Sequence, residues 1–145
     1  MRDLWADKYE KITKKTPASI LKQQALKLGK KSNHQVQPTV SESKVLFKDD
    51  DSLLYRLLLT IPALPRYRYG HLTMIHGADF YPVLFLIDED IKRELQPELG
   101  EWNRLLTVES EEQLRPVLQG IFNSKETQRI VDSLQARNAQ KKVST

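Results

Sequence analysis

Between Lys44 and Asp88 the chain reads KVLFKDDDSLLYRLLLTIPALPRYRYGHLTMIHGADFYPVLFLID. Four segments carry short apolar runs or an alternation with a period of two, separated only by DDD, PALP and HGAD. A period of two is the period of a β-strand, whose successive side chains point to opposite faces. Breaks of a few residues are too short for the crossover that parallel strands need, so consecutive strands must run antiparallel. This stretch therefore limits the chain to a meander.

The strand faces follow from the spacing. Leu53, Tyr55, Leu57, Leu59 and Ile61 share one face of the second segment; Leu54, Arg56, Leu58 and Thr60 share the other. Both are largely apolar, which predicts a central strand covered on both sides. In the third segment strict alternation sets Tyr67, Tyr69, His71, Thr73 and Ile75 against Arg68, Gly70, Leu72, Met74 and His76. His71 and His76 then point opposite ways unless a bulge intervenes. Pro82 assigns the start of the fourth strand to an edge or a bulge. Leu57, Leu59, Leu84, Phe85 and Leu86 are the expected core.

Helical signals flank the sheet. Residues 3–13 carry Trp5, Tyr9 and Ile12 on one stripe. A second helix starts at Thr16 as N-cap with Pro17 at N1, and Gly29 is its expected stop. Residues 32–43 are polar and contain Pro38, which predicts a linker. After Asp88 the pattern turns helical, with Ile91 and Leu95 one turn apart. RLLTV at 104–108 is a fifth short strand. Ser110 and Gln113 form a capping box ahead of Leu114, Val117, Leu118, Ile121 and Phe122, with Pro116 inside. Ser124 opens a last helix whose face is Thr127, Ile130, Val131 and Leu134. The expected fold is α+β, in one domain over residues 1–145. A four- or five-stranded antiparallel meander at 44–88 is packed by a basic helical arm (1–31) and a helical C-terminal part (89–137). Residues 138–145 read as a frayed tail.

Composition narrows the function. There is no cysteine among the 145 residues, so disulfides, thiolate metal sites and cysteine nucleophiles are excluded. Neither a GxGxxG nor a GxxxxGK[ST] phosphate loop nor a Gly-x-Ser-x-Gly elbow occurs. The longest apolar run, Val83 to Ile87, is far short of the roughly 20 residues that span a bilayer. No secretory signal is recognisable, and a cytoplasmic protein is expected. The net charge of +4 is unevenly placed. Residues 1–31 hold nine Lys/Arg against three Asp/Glu, and the remainder fourteen against sixteen. A local basic excess suits an acidic protein surface or phosphates.

Three sets of residues have the chemistry of a site. His71, His76 and Asp79 lack a metal-ligand spacing, so no metal and no cofactor is expected. Asp79 with Asp90-Ile91-Lys92 loosely echoes the acids and lysine of the PD-(D/E)xK nucleases. There the acid-x-lysine lies on the strand, whereas here it follows the strand, and Asp88-Glu89-Asp90 fits a helix N-terminus instead. The third set is basic and aromatic. Arg56, Arg66, Tyr67, Arg68, Tyr69 and His71 on the strands, with Lys22, Lys27, Lys30 and Lys31 on the basic helix, are the candidate binding residues. Arginine pairs phosphate and tyrosine stacks bases, so the strand residues suit RNA. With helices preceding a sheet, residues 17–88 loosely resemble the small RelE-like ribonuclease toxins, without the strand that precedes those helices. That resemblance implies RNA as substrate. The reading leans away from an enzyme, toward an interaction protein that binds a protein partner through its sheet or basic arm. An RNA-binding protein or metal-independent ribonuclease is the alternative.

Overall fold

The structure is a computed structural model that describes residues 3–4, 15–99 and 106–143. The helix expected over residues 3–13 lies almost wholly outside the described residues. The elements run α1 (Pro17–Lys31), β1 (Gln37–Phe47), β2 (Asp50–Ile61), β3 (Leu64–His76), β4 (Val83–Ile87), α2 (Glu89–Leu99), β5 (Leu106–Val108), α3 (Glu111–Phe122) and α4 (Lys125–Val143). All five strands pair antiparallel in sequence order, β1-β2-β3-β4-β5, in one open sheet. The fold is an α+β meander with flanking helices.

The first hairpin turns at Lys48 and Asp49, both at positive φ (52° and 66°). Two successive left-handed residues match the twist of the flanking strands. The turn sits one residue earlier than the triple aspartate suggests, and Asp50 and Asp51 belong to β2. The expected linker is also shorter. Residues 37–43 are the first half of β1, paired through Gln37↔Thr60 to Ser43↔Leu54. Their polarity is that of an edge strand, the place where Pro38 is tolerated.

One face of β2 is core, as its alternation predicts: Tyr55, Leu57, Leu59 and Ile61 are buried. They pack with Leu72, Met74, Val83 and Phe85 beneath helical side chains. The opposite face is only half covered at Leu54 and Leu58. Leu84 and Leu86 lie on that side, opposite Ile75 and Thr73, and are not core. Leu84 is half-buried and Leu86 exposed.

Thr16 caps α1, accepting the Ser19 N–H at 3.1 Å. The helix passes through the expected stop at Gly29 and ends two residues on, with Ser32 as C-cap. Gly29 is buried, and a Cβ there would touch the Pro38 ring at 3.7 Å. α1 packs into the core. Ile20 and Leu21 are fully buried in the same apolar cluster as Leu57 and Leu59.

Asp88 opens α2, accepting the Asp90 N–H at 2.8 Å. Ser110 accepts the Gln113 N–H at 3.3 Å, while Gln113 reaches back to the Glu109 N–H. Pro116 sits exposed inside α3, which starts at Glu111. α3 and α4 form a hairpin with only Asn123 and Ser124 between them. α4 continues through Val143, beyond the expected fraying at 138. The reason is Asn138, which is 1% exposed and whose Oδ1 accepts the Ala63 N–H at 3.0 Å. That bond ties the last helix to the β2–β3 turn. Asn138→Ala leaves this N–H without its partner and is expected to lower stability by about 1–2 kcal/mol in chemical denaturation.

Candidate functional site

α1 and the α3–α4 hairpin lie over the same face of the sheet. A cleft of about 560 Å³ opens between them. Its floor and walls are apolar, from Leu57 and Leu59 of β2, Ile20, Ala25 and Leu28 of α1, and Leu118, Phe122 and Val131 of α3 and α4. Amide side chains ring it: Gln24, Gln119, Asn123, Gln128 and Gln135. Lys27 and Lys31, one helical turn apart on α1, and Arg115 of α3 add three cations. Among the described residues no carboxylate lines the cleft; Arg115 pairs outside its lining with Glu111 at 3.7 Å.

His71 lies at the base of the cleft because β3 bulges there. Leu57 pairs with Leu72 but Leu58 pairs with Gly70, leaving His71 as the extra residue. A bulge of this kind re-aims a side chain. It overturns strict alternation: Tyr69, His71, Leu72 and Met74 all turn to the helical side. His71 is 5% exposed, stacked on Phe122 with centroids 5.9 Å apart. His76, also buried, stacks on Tyr55.

His71 belongs to a buried hydrogen-bond network. Its Nε2 lies 2.8 Å from the Thr127 hydroxyl, which lies 2.6 Å from the Ile121 carbonyl, and the Ser124 hydroxyl reaches that carbonyl at 2.8 Å and Thr127 Oγ1 at 3.0 Å. Nδ1 is buried and has no hydrogen-bond partner among the described residues. Burial pushes the imidazole pKa down to about 4, against a smaller upward pull from Asp88. The ring is therefore neutral near pH 7 and a weak base. The two hydroxyls lining the cleft are engaged as well. Ser32 bonds the Gly29 and Val36 backbone, and Thr127 bonds Ile121.

The other expected residues scatter. Lys22 and Lys30 are exposed and do not line the cleft. Arg56 lies on the open face of the sheet, its Nη2 3.3 Å from where a Cβ would stand on Gly70. Between Leu59↔Tyr69 and Ile61↔Leu64, β2 advances two residues where β3 uses five. This irregular stretch carries Arg66, Tyr67 and Arg68, all exposed. Tyr67 is turned to α4, where the Arg137 guanidinium sits 5.2 Å from its ring centre. Tyr69 is half-buried, and burial with nearby Asp88 and Glu126 raises its hydroxyl pKa. A base-stacking platform needs its aromatic rings and cations on one accessible surface. Here Tyr69 and His71 are withdrawn beneath the helices.

Sequence reasoning missed the cleft because its members come from five elements. The i,i+4 spacing of Lys27 and Lys31 was the one local signal, and Arg115 with the glutamines gave none. Elsewhere, Asp88, Asp90 and Glu126 bring carboxylate oxygens within 4.8 Å of one another. They are the negative first turns of α2 and α4, where the helix dipole favours them. Asp90 pairs with Arg93, and Glu126 with Arg129. Asp79, the other acid of the nuclease-like pattern, is not part of this group. Comparison with protein-family models, curated proteins and solved structures finds no match to this chain.

Proposed function

We propose that this protein is a non-catalytic binding module whose cleft between α1 and the α3–α4 hairpin receives a segment of a partner protein. The occupant is an apolar anchor flanked by acidic residues. The carrying observation is the composition of the cleft: an apolar floor, an amide rim and three cations, with no lining carboxylate among the described residues. A buried aliphatic or aromatic anchor supplies affinity, and acidic flanks find Lys27, Lys31 and Arg115. The chemistry of His71 supports binding over catalysis. Its Nε2 is engaged by the Thr127 hydroxyl, and its low pKa leaves little driving force for abstracting a proton.

A titration with two probes tests this reading. One is a pool of short peptides with leucine or phenylalanine between glutamates; the other is a single-stranded oligouridine. The peptide pool is expected to shift backbone amide resonances of residues 20–32 and 118–131. Combining Lys27→Glu with Lys31→Glu is expected to weaken that binding by about 1–3 kcal/mol while leaving the fold intact, since both residues are exposed. Binding of the oligouridine alone, centred on residues 66–68 and falling steeply with salt, contradicts the proposal and favours RNA.

A further inference from the structure

β1 is an edge strand of eleven residues, paired only with β2 among the described residues. Its outer edge presents a row of backbone donors and acceptors, a template for another strand. The opposite edge, β5, covers three residues, Leu106–Val108, among the described residues. We propose that the edge of β1 pairs with a second copy of this chain, antiparallel, about a two-fold axis normal to the sheet through Ser43.

Charge selects that register. A two-fold normal to the sheet keeps each side chain on its own face, so the axis must pass through a residue and its copy. Centred on Glu42 it sets two glutamates side by side, and centred on Lys44 it sets two lysines together. Centred on Ser41 it apposes Glu42 to Val40 and Lys44 to Pro38. Centred on Ser43 it pairs Glu42 with Lys44 of the second copy and Lys44 with Glu42, two opposite-charge pairs. Directly opposed charges of unlike sign stabilise a sheet and like charges weaken it.

The remaining pairs agree. Val40 meets Leu46 of the second copy, and Leu46 meets Val40. Leu46 is 75% exposed on a lone chain although it is a large aliphatic residue. Thr39 meets Phe47, which brings the paired stretch to residues 39–47. Pro38, which has no N–H to give, falls just outside it. Glu42 already accepts a bond from the Tyr55 hydroxyl through Oε1 at 3.1 Å, and its second oxygen is left for the lysine. The pairing goes beyond the cleft proposal and is independent of it, because no residue of β1 lines the cleft.

Sedimentation equilibrium of the full chain across concentrations tests it. The wild type is expected to show a monomer–dimer equilibrium. Glu42→Lys faces lysine with lysine at both symmetric positions and is expected to raise the dimer dissociation constant roughly tenfold or more. Adding Lys44→Glu to that variant restores opposite charges in the same register and is expected to restore the dimer. Both residues are exposed, so the variants fold, and circular dichroism checks it. A wild type that stays monomeric into the millimolar range overturns the proposal. So does a Glu42→Lys chain that dimerises as well as the wild type, or a double variant that fails to recover.

Discussion

A chain that begins at Ser32 is expected to lose its cooperative unfolding transition. α1 contributes Ile20 and Leu21, each almost fully buried, together with buried Ala25 and half-buried Leu28. Burying one large aliphatic side chain stabilises by about 1.5–3 kcal/mol. Removing the helix also uncovers Leu57 and Leu59, which it shares a core with. The summed loss is on the order of 5–10 kcal/mol, comparable with the whole stability of a domain this size, typically 5–15 kcal/mol. The measurement is a thermal melt followed by far-ultraviolet circular dichroism. A truncated chain that still melts sharply, within a few degrees of the full one, would make α1 a separable arm and remove one wall of the cleft.

Stability should also fall between pH 6.5 and pH 4 because of His71. The folded chain holds this imidazole near pKa 4, below the ordinary 6.5 it has when unfolded. Above pH 6.5 the ring is neutral in both states, and its contribution is complete. As pH drops, the unfolded chain takes up a proton that the folded chain refuses, so folding weakens by about 1.4 kcal/mol per pH unit. The loss reaches on the order of 3 kcal/mol near pH 4 and then levels off. His71→Gln retains a hydrogen-bonding side chain for Thr127 but cannot ionise. Urea midpoints of the two proteins at pH 7 and pH 4.5 isolate the histidine, since the carboxylates, Asp88 included, are common to both. Parallel curves for wild type and variant would show that His71 takes up its proton in the folded chain as readily as in the unfolded one.

The sheet was legible in the sequence because its strands are consecutive and their faces follow a period of two. The core side of β2, the caps at Thr16 and Ser110 and the inner face of α4 follow from local pattern alone. What broke the reading was irregularity within strands. One extra residue at His71 turns it to the side of Leu72, and no propensity marks which residue of GHLT will bulge. β1 hid in polar sequence because an edge strand with a solvent-facing side has few apolar positions to alternate. Leu84 and Leu86 look like core by composition, yet their register places them on the face away from the helices. Asn138 reads as tail, and only its tertiary partner at Ala63 keeps α4 going. Of the expected binding residues, the cleft gathers Lys27, Lys31 and His71. The tool for finding the rest, proximity across five elements, does not exist in a linear sequence.

The most direct test of the binding account is site-specific photo-crosslinking in native lysate. A benzophenone side chain is placed at Gln24 or Gln128 in the cleft, or at Arg68 on the exposed basic stretch, with and without nuclease treatment. The account predicts protein adducts from Gln24 and Gln128 that survive nuclease, are competed by the acidic peptide pool and are absent from Arg68. Adducts formed only from Arg68 and abolished by nuclease would contradict it, placing the working surface on the arginine strand and its partner among nucleic acids.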